Sequence, residues 1–225
     1  MSVLDLLFPR RCLGCGRFGR YFCAQCRSSL VVIGANEAVC PICEKPAIDG
    51  ASHPKCRTRY GLDGLISFFR YKGVVRLAIK MLKYRLVFDV IPEFISLIPE
   101  AAYVFLRRLP PMVIVPIPLH VSRQRSRGFN QAELLGTELA ARLHMPIRTD
   151  MLQRIKPTIP QAGIAKRQER LANMKDVFAV SAPITGASCV FLVDDVFTTG
   201  ATLRAAASTL KRAGVRLVWG LVIAR

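Results

Sequence analysis

The sequence predicts a three-layer α/β domain with a central parallel sheet, preceded by a small metal-stapled segment. Two observations carry this reading. Beyond Tyr60, short apolar runs alternate with amphipathic stretches, as strands joined by crossover helices do. Before it, seven of the eight cysteines crowd into the first 56 residues. The expected division is 1–60 for the cysteine-rich segment and 61–225 for the α/β domain. At 225 residues and 52% hydrophobic, the chain can build one full core and a small appendage.

Leu65 to Tyr71 reads as a strand and Val74 to Leu86 as a helix with basic residues on one face. An apolar helical stretch follows near Val90 to Leu106. Met112 to Ile117 is a short, continuous apolar run, as strands buried on both faces tend to be. Asn130 to Leu143 is a helix with Leu134, Leu135, Leu139 and Leu143 on one stripe. Val190 to Val193 reads as a buried strand, Ala201 to Arg212 as a helix stopped by Gly214, and Leu217 to Ile223 as a final strand. In such sheets ligands bind beyond the carboxyl ends of the strands, which directs attention to the turns that follow them.

No apolar run reaches the roughly 18–20 residues of a membrane helix. The first residues lack a basic leader region and a small-residue cleavage site, so the expected location is the cytoplasm. Thiols stay reduced there, and paired cysteines then favour metal over disulfides. The pairs are Cys12-x-x-Cys15, Cys23-x-x-Cys26 and Cys40-x-x-Cys43, followed by His53-x-x-Cys56. A two-residue gap lets two ligands of one knuckle meet one ion, and two knuckles complete a tetrahedron. Eight ligands suffice for two Zn²⁺ ions. Sequential pairing joins Cys12, Cys15, Cys23 and Cys26 in one site, and Cys40, Cys43, His53 and Cys56 in the other. Short spacers favour that pairing, with a cross-braced arrangement as the alternative. Four protein ligands close each site, so the role expected is structural. Cys189 stands apart in an apolar strand and reads as a buried hydrophobe.

The net charge of +18 points to polyanionic partners. The basic residues are uneven: residues 120–175 hold eleven Lys or Arg against four Asp or Glu. Charge alone does not choose the anion.

The most informative stretch is Val190-Phe-Leu-Val-Asp194-Asp195-Val-Phe-Thr198-Thr199-Gly200-Ala201-Thr202. An apolar strand runs into two carboxylates, a hydroxyl- and glycine-rich turn, and a helix. Turn and helix N–H groups can receive a phosphate, and Thr198, Thr199 and Thr202 add hydroxyl donors. The carboxylates can accept from neighbouring sugar hydroxyls. The Gly-Lys-Ser/Thr ending of a Walker loop is absent.

This run resembles the phosphoribosyl pyrophosphate (PRPP) motif of type I phosphoribosyltransferases. The resemblance implies that Asp194 and Asp195 hold the ribose 2′ and 3′ hydroxyls and that residues 198–202 wrap the 5′-phosphate. Where 6-oxopurine enzymes of this class carry an aspartate, this chain has Thr198, which argues against hypoxanthine or guanine as substrate. A second run, Val115-Pro116-Ile-Pro118-Leu-His120 with Arg123, Arg125 and Arg127-Gly-Phe-Asn130-Gln, fits the pyrophosphate-loop position. Three arginines at alternate positions of a basic loop can meet a diphosphate through their planar forks. His120, a lone histidine beside a strand end, reads as structural.

The Pro-x-Pro and Arg-Gly-Phe-Asn-Gln signature is similar to that of the ComF family. Pro157-Thr158-x-x-Gln161, followed by Lys166, Arg167, Arg170 and Asn173, resembles that family's mobile loop, and Tyr71 and Leu82-Lys83-Tyr84 also fit. The resemblance covers nearly the whole chain and implies PRPP binding with Mg²⁺, with phosphoribosyl transfer as the associated chemistry. It also implies an association with natural transformation, with single-stranded DNA and a helicase-like ATPase of the uptake machinery as partners. A non-catalytic adaptor that binds PRPP or single-stranded DNA is the alternative reading.

Overall fold

The computed structural model describes residues 9–84, 89–110, 112–157, 174, 176–181, 184 and 189–225. Among its described residues the cysteine-rich segment is mostly turns and short 3-10 stretches, with one short α-helix, α1 (Ala24–Ser28). After it come β1 (Gly64–Phe69), α2 (Gly73–Tyr84), α3 (Val90–Ile95), α4 (Glu100–Arg108) and β2 (Val113–Pro116). The chain continues through α5 (Val121–Arg127), α6 (Gln131–Leu143), β3 (Leu152–Arg154), β4 (Phe178–Val180), β5 (Cys189–Val196), α7 (Ala201–Arg212) and β6 (Leu217–Ala224).

Strands β1, β6, β5 and β2 form a parallel sheet in that order. Alternation along β5 shows why its sequence is apolar throughout. Cys189, Phe191 and Val193 enter a core with residues of α2, α3 and α6, while Val190 and Leu192 enter a second core with α7. A strand covered on both faces needs apolar residues at every position until it emerges. It emerges at Asp194. Cys189 is buried in the first core, the hydrophobic role its sequence setting suggests.

The structure revises three local expectations. The helical stretch from Val90 to Leu106 is two helices, because Pro99 takes an extended conformation at the N-cap of α4 and lacks the N–H that a continuous helix would use. A small antiparallel pair, β3–β4, lies outside the main sheet, its three-residue strands too short to leave a periodic signal. Residues 121–127 are helical where a basic loop was expected. His120 caps α5, its side chain accepting from the Ser122 N–H, and Gly128 ends it in the left-handed region at φ 80°.

The cysteine-rich segment is tied into the α/β body at several points. Tyr21 and Phe22 donate backbone N–H groups to Glu93 of α3 at 3.1 and 3.0 Å, and the Phe22 ring stacks on Phe94 with centroids 5.3 Å apart. A strap at residues 31–33 pairs with the outer edge of β1, through Ile33 N–H to the Phe68 carbonyl and Arg70 N–H to the Val31 carbonyl. The strap covers an edge that would otherwise expose unpaired backbone groups. No helix among the described residues is long and apolar enough to cross a membrane.

Candidate functional site

The metal-ligand pattern resolves into two separate clusters. Cys12, Cys15, Cys23 and Cys26 bring their ligand atoms within 4.8 Å of one another, and so do Cys40, Cys43, His53 and Cys56. This is the sequential pairing. Ligands at about 2.3 Å from a tetrahedral Zn²⁺ lie about 3.8 Å apart, and the Sγ atoms of Cys15 and Cys23 are 3.6 Å apart. His53 turns Nδ1 toward the Cys43 Sγ at 3.3 Å and presents Nε2 to the Pro46 carbonyl at 2.9 Å. A ligating histidine is oriented in this way, with its second nitrogen donating to a fixed acceptor.

In each cluster the first thiol is prepared for metal by the backbone, while the last is pushed up, Cys26 by its cysteine neighbours and burial, Cys56 by burial and its cysteine neighbours. Burial pushes the Cys12 thiol up, but N–H groups of Cys23, Cys15 and Gly14 outweigh it and bring the group down to about 6. Cys40 reaches about 6 in the same way, with burial opposed by the N–H groups of Cys43, His53 and Ile42. Both clusters have four protein ligands and fit structural zinc.

At the carboxyl end of the parallel sheet, β2 and β5 finish side by side. Pro116 is level with Val193, and the Ile117 N–H donates to the Val193 carbonyl at 2.9 Å. The Pro116–Pro118 turn therefore stands beside Asp194 and Asp195. Alternation sends the two carboxylates to opposite faces of β5. Asp195, only 4% exposed, meets the Lys83 ammonium of α2 at 2.6 Å. Asp194 is half-buried and accepts the Asp195 N–H at 2.8 Å. Burial and the Asp195 charge push Asp194 up to about 7, against the pull of Lys83. Burial tends to lower Lys83, and the Asp195 and Asp194 charges more than reverse it, so the ammonium is held above its ordinary value.

The turn after β5 is shaped by Gly200, which takes φ 71° at the N-cap of α7. A Cβ there would meet the Phe197 ring at 2.6 and 2.8 Å, so glycine is needed for both conformation and space. Thr199 Oγ1 accepts the Ala201 N–H at 3.4 Å. A hollow is lined by Asp194, Thr198, Thr199, Gly200, Ala201 and Thr202, so these six predicted residues share one concave surface. The first turn of α7 supplies N–H groups and the positive end of the helix dipole, a setting that suits an anion.

The other predicted residues divide. Asn130 caps α6 through the Ala132 N–H and donates Nδ2 to the Ile117 carbonyl at 3.0 Å, bracing the Pro116–Pro118 turn from behind. Because residues 121–127 form a helix, alternate positions lie about 200° apart around its axis. Arg123 and Arg127 therefore share a side and Arg125 points away, so the three arginines do not form one claw. Arg127 reaches Gln131 at 2.6 Å. Thr158, Gln161, Arg167 and Arg170, with Lys166 and Asn173, lie outside the described residues.

Three residues join the neighbourhood: Lys83, within the Leu82-Lys83-Tyr84 run already singled out, and Arg154 and Arg204, which have no motif of their own. Lys83 comes from α2. Arg154, only 7% exposed at the end of β3, lines a polar cavity of about 230 Å³ with Pro116, Pro118, Gln124 and Asn130. Burial draws its guanidinium down to about 10, the Arg123 charge adds to this, and Asp194 opposes it. Arg204, in the first turn of α7, donates to the carbonyls of Pro41 and Ile42. A basic helix face hints at Lys83, while nothing local distinguishes the other two from surface arginines. A larger cavity of about 250 Å³, mostly apolar, lies away from Asp194 and Asp195, between residues 32–35, β1 and α4.

Comparison with known proteins adds the following. The double zinc ribbon domain family matches residues 3–57. The chain is 31% identical over 202 residues to competence protein ComFC of Bacillus subtilis, covering 85% of this chain and 78% of that protein. It is 30% identical over 190 residues to the DNA utilization protein YhgH of Salmonella typhi, covering 80% and 81%. Competence protein F of Haemophilus influenzae is 41% identical over 115 residues, 49% of this chain and half the length of that relative.

Proposed function

This chain belongs to the ComF family of competence proteins, and from that premise we propose that its α/β domain binds PRPP or a closely related sugar phosphate in the service of DNA uptake. The observation that carries the proposal is that Asp194 and the Thr198–Thr202 turn line one hollow at the carboxyl end of β5, with Asp195 beside it in the strand and held by Lys83 on the other face. In this reading the first turn of α7 and the threonine hydroxyls receive the 5′-phosphate. The carboxylates accept from the ribose hydroxyls. The Pro116–Pro118 turn, Arg123 and Arg154 face the diphosphate.

Asp194 suits a ligand that arrives with a cation. Its charged form is disfavoured by burial and by Asp195, and Mg²⁺ carried on the diphosphate supplies compensating positive charge. The chain's own contribution to phosphoribosyl transfer would be to orient the sugar and stabilise the departing diphosphate with arginine. Isothermal titration with PRPP and Mg²⁺, beside an Asp194→Asn/Asp195→Asn double variant, tests the reading. Micromolar binding lost in the variant supports it and justifies screening acceptor bases for pyrophosphate release. No binding by folded, zinc-loaded protein overturns it.

A second reading, an adaptor for single-stranded DNA, is favoured by the charge of +18 and by Phe18, which is 59% exposed with the Arg11 guanidinium 4.3 Å from its ring centroid. Stacking platforms flanked by cations suit single strands. Salt separates the two: DNA binding should weaken steeply with ionic strength, and PRPP binding much less.

A further inference from the structure

The second metal centre lies against the sugar-phosphate turn, and one side chain joins them. Arg204 begins the intrahelical ladder of α7, its N–H donating to the Gly200 carbonyl at 2.8 Å. Its guanidinium leaves the helix and donates Nη2 to the Pro41 and Ile42 carbonyls at 2.6 and 2.7 Å. Pro41 and Ile42 are the two residues between ligands Cys40 and Cys43. The same guanidinium passes close to Gly200, where an added Cβ would lie 3.2 Å from Nε. Val39, one residue before the knuckle, shares a core with Phe197, Ala201 and Leu203 of the turn and helix.

We propose that Arg204 is a positioning residue through which the second zinc knuckle holds the phosphate turn in its binding shape, so that zinc retention at that site and sugar-phosphate affinity are linked. The physical argument is one of direction. Knuckle carbonyls point outward when four ligands hold Cys40 and Cys43 on one centre, and they offer a fixed pair of acceptors. A guanidinium bound to both fixes the first turn of α7 relative to the knuckle. The N–H groups for a phosphate come from that same turn. If the knuckle opens, the acceptors scatter and the turn loses its brace. Among the described residues the first centre has no corresponding link: its segment docks on α3, through Glu93 and Phe94.

The inference rests on the sugar-phosphate reading, and linkage makes it testable from both sides. Zinc release to a chelator is followed in the full chain with and without PRPP and Mg²⁺, beside PRPP titration. Arg204→Met keeps the aliphatic stem and removes the donors, and Arg204→Lys restores one. In wild type, PRPP should slow the loss of one of the two zinc ions by at least about fivefold, the lower range of coupling between sites. Arg204→Met should bind PRPP more weakly by a similar factor and lose the protection, with Arg204→Lys between them. Absence of PRPP binding in wild type overturns the functional reading and this inference with it. Wild-type binding with no zinc protection, or full protection in Arg204→Met, overturns the coupling alone.

Discussion

The first metal centre is braced against a helix on the flank of the α/β domain, and the second against the turn where β5 becomes α7. Locally the two knuckles are near copies. In each, the N–H of the first cysteine returns to the carbonyl five residues on (Cys12 to Arg17, Cys40 to Lys45), and the residue after the second cysteine takes a left-handed conformation. Their surroundings differ. Phe22 and Tyr21 of the first segment sink into the main core, whereas the second knuckle contributes two backbone carbonyls to a guanidinium. Equal local chemistry thus serves two purposes: the first centre secures the fold, and the second orients a turn.

That contrast can be broken most directly at Phe22. It is fully buried and stacked on Phe94, so Phe22→Ala should lower stability by about 3–5 kcal/mol in urea unfolding. Protein that remains folded should keep its PRPP affinity. A marked fall in affinity would erase the distinction between the two centres.

A pH series separates the sheet end from both metal centres. Burial and Asp195 raise Asp194 from its ordinary 3.8 to about 7. Between those values the folded state holds a proton that the unfolded chain has released. This contribution to stability is therefore complete below about pH 4 and is lost as pH rises through 7. Measured as the difference between wild type and Asp194→Asn, so that metal effects cancel, ligand-free stability should fall across that range. A flat difference would show that the carboxylate pair is not strained.

Gly200→Ala sharpens the comparison at the turn itself. The left-handed backbone and the approach to Phe197 predict a loss of about 1–2 kcal/mol, accompanied by weaker PRPP binding. The smallest effect belongs to the knuckles. Gly16 takes φ 77° in open space, while its counterpart Glu44 takes φ 61°. Glu44→Gly should gain about 0.5–1 kcal/mol in thermal or urea unfolding, and Gly16→Ala should lose a similar amount.

Much of this was legible along the chain. Helix α7 occupies the span its pattern indicates, Ala201–Arg212, and α6 begins one residue after its Asn130 cap. Helix α5 was obscured because its seven residues carry almost no apolar stripe. Its start rests on a histidine cap, a residue seldom read as a helix signal. The divided stretch before β2 was readable in principle from Pro99, whose effect depends on which residue the chain makes the cap.

Cysteine spacing by itself determined that metal is held, and by which residues, because a knuckle is a local object whose ligands lie a few bonds apart. The Asp194–Thr202 run likewise determined a strand end, a hydroxyl- and glycine-rich turn and a helix. Only the tertiary structure decided how the eight ligands divide, since both pairings are compatible with the spacings. It alone brought Lys83 to Asp195, Arg154 to the Pro116–Pro118 turn, and Arg204 to Pro41 and Ile42. Those meetings join residues about 40 to 160 positions apart, and they follow from strand order and helix packing. A lysine or arginine looks the same in sequence whether it ends in solvent or against a buried carboxylate, because its charge is local and its partner is chosen by the fold.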